Sequence, residues 1–370
     1  MLQPGVLLFS LFIAVTLIQL CYYGFFFRRL AVYRTPDRSL QQQPVSVIVC
    51  ARDEDENLAR HLPGLLVQDY PATHEVLVID DNSLDDSKYI LEELKRTFPH
   101  LQVIRLTQEA KLIQGKKYPL SIGIKEARHE VVLLTDADCV PATEHWLQKM
   151  QAAFTPGVEL VLGYGAYYRR PGLLNKLIRW ETAHTALQYL SYALAGQPYM
   201  GVGRNMAYTK DLFFRNKGFA SINHIPSGDD DLFVNKAATA GNTAIVIDPE
   251  AFTLSRPKQT WKEWMRQKTR HYTTGKYYKT RHKFLLGLYT GSLVLFYPLF
   301  LGALLFFDWR WALIPLGLRL LVQALVLRPA LKRLGEGDLF RWFPLFDLWM
   351  IPYYFLFAPT LWKKARKSWQ

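Results

Sequence analysis

The stretch VVLLTDADCVPA, Val131 to Ala142, decides how the rest of the chain is read. An apolar run, Val131 to Leu134, ends in two carboxylates, Asp136 and Asp138, one residue apart. The run itself has the look of a fully buried strand. Side chains alternate along an extended chain, so Asp136 and Asp138 point to the same side. Two like charges that close raise the cost of ionising each other. Either solvent dissipates that cost in an ordinary loop, or a cation sits beside them. Carboxylate oxygens are hard ligands, and they suit a divalent metal that also carries phosphates.

Three further runs read as buried strands: VSVIVCA (Val45 to Ala51), EVLVIDD (Glu75 to Asp81) and LQVIRL (Leu101 to Leu106). Polar stretches with helical periodicity separate them, Ser87 to Phe98 among them. Strands alternating with helices predict an α/β fold with a mostly parallel, doubly wound sheet. Such sheets bind ligands beyond the carboxyl ends of their strands. Three of the four runs end there in polar clusters: Arg52-Asp53-Glu54, Asp80-Asp81-Asn82-Ser83 and Asp136-Ala137-Asp138. One such cluster could be an ordinary polar loop. Three on one rim point to a nucleotide site.

Half of the 370 residues are apolar and 14% are aromatic, which suits a membrane protein with a soluble part. Val6 to Phe27 carries no charge and is long enough to span a bilayer. It is too long for a signal-peptide core and lacks a small-residue cleavage site. Arg28, Arg29, Arg34 and Arg38 follow, so the positive-inside rule puts that end in the cytoplasm. Phe284 to Phe307 and Trp311 to Leu327 read as a helical hairpin around Asp308-Trp309-Arg310. A third stretch, Phe343 to Trp362, holds Asp347 and three prolines and ends in Lys363, Lys364, Arg366 and Lys367. Alternation would place that basic tail outside, against the charge rule, so the stretch is expected to re-enter or lie at the interface. Net charge is +13, yet Arg256 to Lys283 alone holds ten Lys or Arg against one acid, Glu263, directly before an apolar segment. That placement points to anionic lipid and argues against nucleic acid as the partner. Cys21, Cys50 and Cys139 make no disulfide framework, which fits a reducing cytosol. Leu173 to Leu194 is apolar but holds Lys176, Arg179, Glu181 and His184. It reads as an amphipathic interface helix or as a core helix of the soluble domain.

Several motifs resemble glycosyltransferase family 2, the inverting, membrane-associated branch that includes ceramide glucosyltransferases and polysaccharide synthases. VSVIVCARDEDENL is similar to the family's opening strand and P-x-x-N-E loop, with Asp53 in place of the usual Asn. VLVIDDNSLDDS is similar to D-D-x-S-x-D, GKKYPLSIGI to G-K-a-x-a-L, and TDADC to the D-x-D. SGDDDLFVNKAA resembles T-E-D-x-D-L with Gly228 where Glu is common, and QKTRHY resembles Q-x-x-R-W with His271 in place of Trp. GVGRNMAY, Gly201 to Tyr208, resembles the glycine-bearing acceptor segment. The resemblance covers about residues 45 to 278. It implies a GT-A fold and a donor site built from Arg52, Glu54, Asp80, Asp81, Lys116, Asp136, Gln267 and Arg270. It implies Mg²⁺ or Mn²⁺ on Asp138 with Asp136, and a general base at Asp229, with Asp230 the alternative. The donor would be a nucleotide-sugar, UDP-linked, and the acceptor lipid-linked or another membrane-held saccharide. The chain would comprise an N-terminal transmembrane helix (1–31), a GT-A domain (32–255), a basic interface segment (256–283) and C-terminal transmembrane helices (284–370). The expected protein is a multi-pass membrane protein, of a bacterial inner membrane, with a cytoplasmic catalytic domain. A processive synthase is a rival reading, which His271 and the one N-terminal span oppose. A catalytically inactive, nucleotide-binding scaffold is another, which intact Asp138, Asp229 and Arg270 oppose.

Overall fold

The computed structural model describes residues 4–36, 42–107 and 115–362. The charge-free N-terminal segment forms α1 (Pro4–Cys21), runs through a π-helical turn (Tyr22–Phe27) and continues into α2 (Arg28–Ala31). In lipid a backbone must satisfy its own polar groups, and an unbroken helix does so.

The soluble part then alternates as its pattern predicts. β1 (Val45–Ala51), β2 (His74–Asp80), β3 (Leu101–Arg105) and β4 (Val131–Asp136) are the four expected strands, each within a residue of its predicted bounds. The helices α3 (Asp55–Leu66), α4 (Ser87–Thr97) and α5 (Lys117–Glu126) connect them. All four strands run parallel, in the order β3-β2-β1-β4. β1 lies between β2 and β4 and is buried along its whole length, which is why it reads as one apolar run. Register then fixes the rim. Ala51 pairs with Asp80 on one side, and Cys50 with Asp136 on the other. The acidic strand ends therefore finish level.

After β4 the chain forms β5 (Cys139–Pro141), α6 (Trp146–Gln151), β6 (Leu160–Leu162), β7 (Gly165–Tyr167) and α7 (Leu173–Leu194). Next come β8 (Met206–Thr209), α8 (Lys210–Arg215), α9 (Asp231–Ala237), β9 (Thr243–Ile245), β10 (Thr253–Ser255) and α10 (Trp261–Tyr272). β8 joins the main sheet antiparallel to both β4 and β6, and β9 closes it beside β6. A small second sheet, β5-β10-β7, grips the segment just after Asp138 and leads into α10.

α7 is buried on nearly every face, so the core reading of this helix holds over the interface reading. Its charges are closed by partners far away in sequence. Arg179 Nε donates to Glu336 at 2.8 Å, Lys268 pairs with Glu181, and His184 Nε2 lies 3.0 Å from the Tyr289 hydroxyl. Desolvated charges persist only with such partners.

Three helical segments are long and apolar enough to cross a membrane: Pro4–Ala31, α11 (Thr280–Phe306) and α12 (Trp309–Arg333). α13 (Phe343–Phe357) has 15 residues and gives way to a 3₁₀ turn, Ala358–Trp362. Its length of about 22 Å falls short of a hydrocarbon core of about 30 Å.

Candidate active site

The D-x-D rises from the end of β4. Lys116, at the start of α5, pairs with Asp136. Burial opposes the Lys116 charge, but Asp136 and then Asp229 overcome it and hold the ammonium well above its usual range. Asp136 is the mirror case. Burial would raise its pKa, yet Lys116, then Arg204 and Arg270, bring it below the ordinary carboxylate range. Asp138 goes the other way, pushed up by burial and by Asp136. The Cys139 thiol lies 3.4 Å from Asp138 Oδ1 as a donor. Asp136, Asp138 and Cys139 each offer a ligand atom within 4.8 Å of one another. Two carboxylates fit a hard divalent ion, and the buried thiol is the softer, weaker donor for it.

Two strand-end loops interlock beside this point. Asp53 and Asn82 both sit at left-handed backbone angles, φ 52° and 59°, which short polar side chains tolerate. The Asp53 amide donates to Ser83 Oγ at 3.0 Å, and Leu84 N–H returns a bond to Asp53 Oδ1 at 2.8 Å. Asp81 is fully buried, and its amide donates to Ala51 O at 2.8 Å. Asp80 accepts from Ser83 N–H at 3.1 Å and lies 4.0 Å from Arg105. Glu54 accepts from Asn57 at 2.5 Å. Burial raises its pKa, as do Asp138 and Asp136, so it faces the D-x-D. Arg52 stays on the rim, 40% exposed and 4.0 Å from Asp53.

The three consecutive acids of SGDDDL have three different environments. Asp230 caps α9. Its carboxylate accepts the amides of Asp231 at 2.7 Å and Gly203 at 2.9 Å. Burial, with Asp229 and Asp231 beside it, pushes Asp230 up to about 7. Asp231 is buried and accepts the hydroxyls of Thr274 (2.5 Å) and Tyr278 (2.7 Å), which ties α9 to the segment leading into α11. Among the described residues no hydrogen bond holds the Asp229 carboxylate, and its charge acts on Lys116 and Lys117. Sequence reasoning passed over Lys117. Its buried ammonium donates to the carbonyls of Ser227 (2.6 Å) and Ile225, and so anchors the loop before Asp229. Nothing in GKK separates this lysine from the one that faces the cleft. Asn205 was missed as well. It accepts from Trp146 Nε1 at 3.0 Å and donates to Tyr164 O and Ala251 O, both at 2.8 Å.

α10 opens with a capping box, Thr260 with Glu263. It brings Gln267 to 3.5 Å from the Tyr167 hydroxyl. The charge of Arg270 reaches Asp136. His271 follows Arg270 on the same helix, and its ring is exposed. Glu54, Lys116, Asp229 and Arg270 thus converge on the D-x-D.

A family model described as "Glycosyltransferase like family 2" matches residues 42–274, from just before β1 to just past α10. The chain belongs to that family. It is 28% identical to the glycosyltransferase AglE of Haloferax volcanii over 204 residues, 53% of this chain and 62% of that one. It is 33% identical to a beta-monoglucosyldiacylglycerol synthase of Synechocystis over 151 residues, 40% of this chain and 30% of that one. The chain therefore spans less than two thirds of these relatives' length. Its fold is similar to that of a Pyrobaculum calidifontis mannosyltransferase solved with GDP-Man and Mn²⁺. The TM-score is 0.61 at 20% identity, covering 97% of this chain and 98% of that one. The shared fold is the GT-A fold.

Proposed function

We propose that this family 2 member is a membrane-bound, inverting glycosyltransferase. It would move a sugar from a nucleotide-sugar, UDP-linked, to a lipid-linked or otherwise membrane-held acceptor. The observation that carries the reading is the convergence at one sheet edge. The D-x-D, Lys116 and Arg270 meet an acid, Asp229, that among the described residues no hydrogen bond ties down. Asp136 and Asp138 would hold Mg²⁺ or Mn²⁺, which offsets charge on the leaving diphosphate. Lys116 and Arg270 add positive charge on the same side, and Arg270 can grip phosphate with two donors. Asp229 takes the proton of the acceptor hydroxyl. That oxygen bonds to the anomeric carbon as the bond from this carbon to the diphosphate oxygen breaks. Asp230, held by two amides, positions the helix start.

The membrane-held acceptor is supported by the three long apolar helices and by the lipid named in the Synechocystis relative. The cytoplasmic orientation rests on Arg28, Arg29 and the basic run from Arg256. The domain division at 31, 255 and 283 belongs to the same proposal. The test is hydrolysis of a panel of nucleotide-sugars by the full-length protein with Mn²⁺ or Mg²⁺. Turnover of one or a few donors is expected. Turnover of none, with nucleoside diphosphate still bound, would favour the inactive scaffold.

A further inference from the structure

Arg204 has a built slot, and among the described residues no acid enters it. Its backbone is pinned from two sides, because its carbonyl accepts the hydroxyls of Thr135 and Thr253, both at 3.0 Å. Thr135 is the residue just before Asp136, so the pin fixes Arg204 against the D-x-D strand. Its guanidinium lies 4.6 Å from the centre of the Tyr167 ring and donates to Gly165 O at 2.5 Å. Gly165 is the only residue type that leaves room, since a Cβ there would stand 2.1 Å from Arg204 Nε. Nε itself is buried without a partner. Among the described residues no carboxylate sits at ion-pair distance from Arg204.

Arg204 is half-buried, with only Nε fully covered, and the two fully buried arginines behave differently. Arg179 meets Glu336 and Arg319 meets Asp347, each at 2.8 Å. A half-buried guanidinium with no acid beside it is free to take an anion, and a phosphate matches its fork with two parallel bonds. The direction the slot faces is also set. The Arg204 carbonyl is bound by Thr135, next to Asp136, and the guanidinium lies over Tyr167, so the slot stands beside the end of the D-x-D strand. It comes from the β8 side of Asp136, whereas Lys116 comes on α5 from the β1 side.

We propose that Arg204 is a second oxyanion-binding cation of this site, held ready for a phosphate group on the Tyr167 side of the D-x-D. The need of the guanidinium for an anion follows from the slot alone. Which phosphate fills it, the donor's diphosphate or one on the acceptor, rests on the transferase reading.

The test uses full-length protein in detergent, as wild type, Arg204→Met, Arg204→Lys and Gly165→Ala. Affinities are measured for UDP and GDP with Mn²⁺, for the free nucleosides, and for dihexanoyl phosphatidic acid against dihexanoylglycerol. If the donor supplies the phosphate, Arg204→Met weakens diphosphate binding by about tenfold or more and leaves nucleoside binding alone. If the acceptor supplies it, phosphatidic acid binding falls by a similar factor and diphosphate binding stays. Arg204→Lys recovers part of either loss, since it keeps charge without the fork. Should Arg204→Met not fold, Gly165→Ala makes the same test by crowding the guanidinium out of its slot. Affinities unchanged for all three phosphates in a folded variant overturn the proposal, as does wild-type protein that binds none of them. Absent sugar transfer with Arg204-dependent phosphate binding would fail the transferase reading only.

Discussion

Two groups of charges in this molecule have opposite designs. Between the apolar helices, Arg319 is fully buried and grips Asp347 with two bonds, Nη1 to Oδ2 at 2.8 Å and Nη2 to Oδ1 at 3.1 Å. Gln19 accepts from Arg319 at 3.1 Å, and Gln323 and Tyr297 donate to Asp347 at 2.8 Å and 2.7 Å. The charges there are closed on each other, and they join α1, α11, α12 and α13. At the D-x-D rim one pair is closed, Lys116 with Asp136, and other charges stay open. Among the described residues neither Asp138 nor Asp229 has a cation at ion-pair distance, and Arg204 has no acid. Closed charges fix how helices pack. Open ones, desolvated at a cost, are placed for something that arrives.

The sharpest way to break that contrast is at Asp138. Asp138→Asn should abolish transfer, a loss of several kcal/mol or about a thousandfold. Full turnover by the variant, or by wild type in EDTA, would remove the metal from the proposal. Next comes Asp229→Asn, which keeps size but cannot accept the acceptor proton. Transfer should fall by about 10²–10⁴ while nucleoside diphosphate affinity survives. Asp230→Asn should cost chiefly stability, about 0.5–2 kcal/mol for a helix cap, with a modest loss of rate. If the two variants exchange behaviour, Asp230 is the base.

The closed cluster should respond in stability alone. Arg319→Met leaves a buried, unpaired Asp347 and should destabilise the helix bundle by about 3–5 kcal/mol. Adding Asp347→Leu should recover much of it. Diphosphate affinity should not change in either protein, and a loss of binding in stable protein would erase the distinction drawn above. A smaller effect is expected with pH. The Asp230 carboxyl is held at about 7, against an ordinary 3.8. A carboxyl raised on folding favours the folded state most below its unfolded value, and that contribution is lost as pH rises through the folded one. Melting curves from about pH 4 to about 8 should show wild type losing more stability than Asp230→Asn across that window.

The parallel half of the sheet was legible because β1, β2 and β4 are buried almost throughout and read as mainly apolar runs, with the half-buried edge strand β3 in step with them. The antiparallel half was not. β6 and β9 have three residues each and β8 has four, too short for a period to show. The rim residues were legible from the company they keep at strand ends. Lys117, Asn205 and Asp231 were not, because their roles lie in bonds to Ser227, Trp146 and Tyr278, which no spacing announces. α7 left two readings open for the same reason. Arg179 finds its acid 157 positions away, and with that partner a charged core helix is possible. Asp347 likewise looked out of place in an apolar stretch until Arg319 supplied its partner.

The smallest expected effect concerns how many sugars are added per binding event. A polymerising enzyme must hold a growing chain, and an aromatic ring under the terminal sugar serves that end. At this position the chain has His271, an exposed ring that is a smaller platform than indole. Neighbouring rings on α10 are already engaged. Trp264 is fully buried against Tyr353 and Phe357, and Tyr272 stacks on Phe357 at 5.5 Å. Trp261 lies edge-on to Trp264 and Trp349. Trp264 and Tyr272 are committed to α13 while Trp261 stays 45% exposed at the far end of α10, so addition of one sugar, or very few, is expected. His271→Trp should raise acceptor affinity by about tenfold at most and lengthen products slightly. Products resolved by mass at low enzyme and excess acceptor decide it. Long polymer from wild type, while most acceptor remains unextended, would mean that another surface holds the chain and that the enzyme is a synthase.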